Sequence, residues 1–379
     1  MVVLEWLFWG SLALIVYAHI GYPVLLMLLD RVFGETPPSA RDRSSADLPS
    51  VTLVVAAYDE EAVIEGKVAN ALALDYPPAK LWVTVASDGS KDRTVELARE
   101  AGAHTVLDLP RGGKVQALNA AVREADSELV AFSDANSFWR PNAMRRLVER
   151  FSDPRVGYAC GQVRFTGGEG GNQEGLYWRY EMGVREMESR LGGITAGNGG
   201  IYAVRREAYI ELDPSRGQDI GFPFELTKRG WRAAYEPSAI AEERMAPTVE
   251  GEFKRKRRMM WGLWDVMLKW GMLDPRGYSP LYALEIYSHR LLRYLTPWLH
   301  VIALLANAAL VGQGGFYVLA MLAQVGFLVS AVLGRFIPFL PLRIAYYYFT
   351  VTASIAMGLY DRIRAGGVPI GWEKVEGTR

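Results

Sequence analysis

Three polar clusters close successive apolar runs, and they hold the residue types that handle phosphate and metal. VTLVVAA runs into Tyr58-Asp59-Glu60-Glu61, LWVTVAS into Ser87-Asp88-Gly89-Ser90, and ELVAFSD into Ser133-Asp134-Ala135-Asn136. Asp134 and Asn136, two residues apart, point the same way from an extended chain. Both offer oxygen atoms, which suits a hard divalent cation carrying a diphosphate. Lys114, in an RGGK segment ahead of a helical run, adds a cation that could meet phosphate. Singly, each feature has a plain reading: a polar turn, a helix N-cap at Asp88 or Ser90, a solvated lysine. Together, on successive strand ends, they face one crevice, where open α/β sheets hold ligands.

Further candidates follow. Gly197-Asn198-Gly199-Gly200 permits close backbone approach to a ligand, with a hairpin turn as the alternative. Asp219 stands near the start of a helical segment, GQDIGFPFELTKRG, where a helix-dipole acid is the plain reading. Residues 250–273, EGEFKRKRRMMWGLWDVMLKWGML, read as a basic, tryptophan-rich amphipathic helix suited to a membrane headgroup layer.

The elements that must position these residues alternate from Val51: strand, helix, strand, helix, strand, helix, strand. That order predicts an α/β fold, a doubly wound and mainly parallel sheet covered on both faces. No G-x-G-x-x-G follows the first strand and no G-x-x-x-x-G-K-[ST] occurs, so the dinucleotide and P-loop fingerprints are missing. The later loop GGEGGNQEG has no cradle-like spacing.

At 379 residues the chain has room for a catalytic domain and more. Lys+Arg and Asp+Glu balance at 42 each, so no global charge argues for nucleic acid. A single cysteine, Cys160, excludes an internal disulfide and a cysteine zinc cage. Residues 3–29 are nearly uncharged and long enough to span a bilayer. They lack the basic start and cleavage site of a signal peptide. With no Lys or Arg before them and Arg31, Arg41 and Arg43 after, the positive-inside rule puts the next domain in the cytoplasm of a multi-pass protein of the inner (plasma) membrane. Three closing stretches, 297–312, 315–334 and 337–360, are each near bilayer length. Three full crossings would carry Arg362, Arg364, Lys374 and Arg379 outside, against the same rule. Pro338 and Pro341 leave a re-entrant or interfacial last segment open. The expected organisation is a membrane helix (1–30), a linker (31–49), the α/β domain (50–245), interfacial helices (246–295), membrane helices (296–361) and a basic tail (362–379).

These motifs, in this order, resemble the family 2 glycosyltransferases, in the membrane-embedded branch related to cellulose, hyaluronan and chitin synthases. The resemblance covers nearly the whole chain and implies a GT-A-type fold. VVAAYDEE is similar to the family's opening strand, with Ala57 where Pro is common and Asp59 where Asn is common. It implies that Ala57, Tyr58 and Glu60 border the nucleotide-sugar. Asp88 of SDGS matches the aspartate that contacts the uracil or ribose of a UDP-sugar. Asp134-Ala135-Asn136 matches the D-x-D element that holds Mn2+ or Mg2+ and the diphosphate; Asn136 departs from the second Asp but keeps an oxygen donor. GQDIGF resembles the E-D or D-D element, with Asp219 as the base and Gln218 replacing the first acid. Arg255 to Met259 lie where the synthases carry Q-x-x-R-W: Arg258 matches, Arg255 replaces Gln and Met259 replaces Trp.

The resemblance thus implies an inverting transfer from a nucleotide-sugar donor, with Lys114, Arg255 and Arg258 near the diphosphate. Gly197, Asn198, Gly199 and Trp261 would shape the site of a lipid-linked or glycan acceptor at the membrane. The missing Trp favours addition of one sugar over processive exopolysaccharide synthesis. A non-catalytic sugar-nucleotide-binding membrane subunit is the alternative from another class; intact Asp88, Asp134 and Asp219 stand against it.

Overall fold

The computed structural model describes residues 1–36, 47–166, 171–213, 218–244 and 249–365. Helices α1 (Val2–Val16) and α2 (Tyr22–Phe33) join through a π-helical turn at Tyr17–Gly21 into one apolar rod. Strands and helices then alternate: β1 (Val51–Ala57), α3 (Ile64–Leu72), β2 (Leu81–Asp88), α4 (Thr94–Glu100), β3 (Thr105–Leu109), α5 (Lys114–Arg123) and β4 (Leu129–Asp134). Every residue of β1 is buried, as expected of a central parallel strand covered on both faces. It pairs in parallel with β2 and with β4, and β2 pairs in parallel with β3. Ala57 lies opposite Ser87 and Ala56 opposite Asp134, so the three polar clusters end level at one edge.

The second half is mixed. It contains β5 (Phe138–Trp139), α6 (Ala143–Glu149), β6 (Val156–Thr166), α7 (Gly171–Leu191), β7 (Tyr202–Arg205), α8 (Gln218–Lys228) and β8 (Arg232–Arg244). The sheet order is β3-β2-β1-β4-β7-β6-β8-β5. β7 is antiparallel to both its neighbours, β6 and β8 run parallel, and β5 is antiparallel to β8. The parallel expectation therefore holds through β4, and strand direction beyond it is mixed. An apolar run shows burial but not direction. Apolar cores cover both faces, one around Trp139, Leu147 and Phe151, the other around Leu118, Phe132 and Tyr202. Phe132 and Tyr202, opposite each other on β4 and β7, stack at 4.6 Å, an arrangement worth about 0.5–1.5 kcal/mol beyond burial.

Five helices follow: α9 (Val249–Leu268), α10 (Pro280–Glu285), α11 (Arg293–Leu310), α12 (Gly315–Leu333) and α13 (Leu340–Ala365). Ser279 caps α10, its Oγ accepting the Tyr282 N–H, with Pro280 at the first helical position. A π-helical turn at Ile286–Leu292 joins α10 to α11. Three helices among the described residues are long and apolar enough to cross a membrane: Val2–Phe33, Pro280–Gln313 and Gly315–Leu333. The stretch 337–360 forms most of α13, which is not one of them. Part of the apolar stripe of α9 is covered by protein, at Leu263, Trp264, Val266 and Met267, while Met259 and Leu268 stay exposed. The Trp264 indole donates to the Ile355 carbonyl at 3.0 Å, the Arg257 fork pairs with Asp361, and Arg362 donates to Asp265 at 2.5 Å. Amphipathic periodicity marks a face that must be covered, not what covers it.

A buried polar cluster fastens the apolar helical segments 2–33 and 280–313 to the α/β domain. Glu188 of α7 is fully buried and accepts from the Tyr22 hydroxyl at 2.7 Å and from Thr195 Oγ1 at 3.2 Å. His289 Nδ1 lies 2.6 Å from the same carboxylate, and Arg290 donates to Thr195 Oγ1 at 2.8 Å. Burial alone would raise the Glu188 carboxyl; the charges of His289 and Arg290 and the hydrogen bonds of His289 and Tyr22 hold it below the usual range. Removing one member of such a cluster strands the others without a partner. Glu188→Ala should therefore cost about 3–5 kcal/mol, read as a lower Tm in detergent. A Tm unchanged from the parent would mean the cluster carries no stability.

Candidate active site

The ends of β1 and β2 are stitched together. The Asp59 N–H donates to Ser90 Oγ at 3.0 Å, and Asp59 Oδ1 accepts the Lys91 N–H at 2.6 Å. The Glu61 N–H donates to Asp92 and the Arg93 N–H to Glu61, each at 3.2 Å. Asp59 has a φ of 49°, which aspartate tolerates better than most residues. Ala57 is buried, Glu60 is 2% exposed, and its N–H donates to Thr94 Oγ1 at 2.7 Å.

Asp88 is 1% exposed, and its carboxylate faces the loop before α5. It accepts from Arg111 Nη1 at 2.7 Å, the Gly112 N–H at 2.7 Å and the Gly113 N–H at 2.9 Å. Gly89, at φ 69°, lets that loop close in, since a Cβ there would meet the Arg111 nitrogen at 2.8 Å. The Arg111 guanidinium lies 3.4 Å from the centre of the Tyr58 ring, a cation–π contact. The loop ends at Lys114, whose ammonium pairs with Asp134 Oδ1. Asp88 therefore anchors the segment that brings Lys114 to Asp134. Arg111 was not among the residues singled out from the sequence; the Gly-Gly pair after it, a flexible step into a helix, was the available signal.

Asp134 and Lys114 are partly exposed at 24% and 19%, so solvent reaches the pair at the strand-end edge. Asn136 is half-buried in the same turn. Among the described residues no three of His, Cys, Asp and Glu gather in a metal cage. Asp134 and Asn136 nevertheless fit a cation of the Mg2+ type, which takes one or two protein oxygens and completes its shell with substrate phosphate and water. Beneath the turn, Lys67 of α3 is fully buried; burial draws its ammonium down to about 7 against the pull of the Asp134 and Glu243 carboxylates.

Asn198 is engaged inside the chain, accepting from Arg185 at 2.8 Å and donating to the Gly161 carbonyl at 2.5 Å. A Cβ at Gly197 would collide with the Tyr158 hydroxyl, and one at Gly200 with Glu243 and Ser137. These two glycines thus serve close packing within the protein; Gly199 alone of the four residues is half-exposed beside buried neighbours. Asp219 occupies the second position of α8, and Arg255, Arg258 and Trp261 lie on α9. The side chains of these four are outside the described residues. The neighbouring Gln218 is fixed, accepting from the Tyr202 hydroxyl at 3.0 Å.

Residues 49–262 match the family described as glycosyltransferase-like family 2. A poly-β-1,6-N-acetyl-D-glucosamine synthase of Staphylococcus aureus is 27% identical over 236 residues, which are 59% of this chain and 57% of that protein. This chain thus spans under two thirds of that relative's length. A β-monoglucosyldiacylglycerol synthase of Synechocystis sp. is 28% identical over 322 residues, 78% of this chain and 65% of the relative. Among solved structures, a mannosyltransferase from Pyrobaculum calidifontis in complex with GDP-Man and Mn2+ superposes with a TM-score of 0.71. It is 23% identical, and the match covers 94% of this chain and 99% of that one. The sheet is of the GT-A type, and the match over more than half its length makes this chain a member of the family 2 glycosyltransferases.

Proposed function

We propose that the chain is a membrane-bound, inverting glycosyltransferase that moves a sugar from a nucleotide-sugar, by resemblance a UDP-sugar, to a lipid-linked or membrane-associated acceptor. The observation that carries this reading is the pair of contacts Arg111–Asp88 and Lys114–Asp134, made from the two ends of one short loop to the ends of β2 and β4. It places a partly exposed acid and a cation together at the strand-end edge. A Mn2+ or Mg2+ ion held by Asp134 and Asn136 would neutralise charge on the departing diphosphate. Lys114 and Arg258 share that load, and Arg111 on Tyr58 closes the nucleotide end. Asp219 accepts the proton of the acceptor hydroxyl as that oxygen bonds to the anomeric carbon and the bond to the diphosphate oxygen breaks. A single displacement of this kind inverts the anomeric centre.

Two relatives frame the acceptor, one by name a polysaccharide synthase and the other a glycolipid synthase. The glycolipid side is favoured by the longer match and by Met259 in place of the Q-x-x-R-W tryptophan. Three crossings, with the first residues outside, return α13 and the basic tail to the side of the α/β domain, which satisfies the positive-inside rule. The test is nucleotide release by the lipid-reconstituted protein across UDP- and GDP-sugars, with Mn2+, Mg2+ or chelator. Metal-dependent release with one donor and a product one sugar larger is the expected result. A long polymer would instead favour the synthase reading. Donor binding without release, even with added membrane lipid, would point to a binding subunit.

A further inference from the structure

Lys67 projects from α3 with no exposure, and its Nζ donates to the Ser137 carbonyl at 2.5 Å. Ser137 closes the turn that begins at Asp134, its N–H donating to the Asp134 carbonyl at 3.1 Å. Three residues on, Asn70 pairs with Trp139 in both directions, Nδ2 to the carbonyl at 2.8 Å and the Trp139 N–H to Oδ1 at 2.9 Å. Residues three apart share a helix face, so α3 grips the 134–139 segment at two points. Trp139 passes the grip on, its indole donating to the Gly200 carbonyl at 2.9 Å. A methionine would fill the Lys67 space without the desolvation a buried ammonium costs. What lysine adds is a donor and, while its ammonium holds the proton, a positive charge in the field of Asp134 and Glu243. With asparagine at 136, the turn carries one carboxylate, and both Lys114 and Lys67 oppose its charge.

We propose that Lys67 is a positioning residue that clamps the Asp134–Ser137 turn from beneath and weakens the turn's own hold on a divalent cation. Metal then binds firmly only with the donor, whose diphosphate brings further negative charge. This rests on the reading of Asp134 and Asn136 as the cation site. Removing a positive charge near a cation site acts toward tighter cation binding.

The test is direct Mn2+ binding to the full-length, lipid-held protein, followed by the electron paramagnetic resonance signal of free Mn2+, with and without UDP. Lys67→Met and Lys67→Gln should tighten binding in the absence of UDP and shrink the gain from UDP. The glutamine keeps an N–H for Ser137, so it separates charge from hydrogen bond should the methionine variant fail to fold. Asn70→Ala loosens the same segment without a charge change and should not tighten binding. UDP-free affinity unchanged or weakened in the Lys67 variants overturns the proposal. Asp134→Ala separates the two levels: Mn2+ binding equal to the parent's would overturn the cation site itself, and the Lys67 role with it.

Discussion

Asp219→Asn should lower turnover by about 10²- to 10⁴-fold, the range lost with a general base, while donor affinity stays within about threefold. The variant keeps the shape of the side chain and loses only the oxygen that accepts a proton. Asp219 is the second residue of α8. The helix is held there by Tyr202, through Gln218, and Tyr202 lies opposite Phe132, two residues before Asp134. The start of α8 is thus tied to β7, which pairs with β4, the strand that ends in Asp134. The measurements are steady-state nucleotide release and equilibrium dialysis of the donor. Parent-like turnover would remove Asp219 from the chemistry, and a parallel collapse of donor binding would make it a structural residue.

Asp134→Ala should have the second large effect, on binding. It removes the carboxylate offered to the metal and frees the Lys114 ammonium that now rests on it. The donor KM should rise by about 10- to 100-fold, as for lost metal-site partners, and added Mn2+ should no longer lower it. Asp134→Asn, which copies the donor type at position 136, should fall between parent and alanine. Metal dependence that survives in the alanine variant would assign the ion to other residues. Titrating Mn2+ at several donor concentrations reads both terms.

Much of this architecture was legible because burial writes itself into apolar periodicity. β1, β2 and β4 are largely apolar runs, and the polar residues that end them fall at one edge because parallel pairing in register leaves no other place. The contacts that assemble the site were not legible. Asp88 reads as a ligand-facing acid, yet its lone pairs are filled by Arg111, Gly112 and Gly113, more than twenty residues along the chain. Lys67 reads as one more polar position on an amphipathic helix, and nothing local says its ammonium ends beneath the turn at Asp134. The stripe on α9 was visible, but its cover, α13, lies about ninety residues further on. Local pattern gives the faces; which faces meet is decided by topology.

The cluster around Glu188 bears on how the enzyme can be handled. Its partners come from three separated parts of the chain: Tyr22 ahead of the sheet, Thr195 in the loop before β7, and His289 with Arg290 after it. A soluble fragment trimmed to the α/β domain would keep Glu188 and Thr195 and discard the other three. It would open a fully buried carboxylate to water and slacken the strap of backbone that runs from Thr195 to Asn198. An excised α/β domain should therefore be less stable than the full chain, and its inactivity would say nothing about the chemistry of its strand ends.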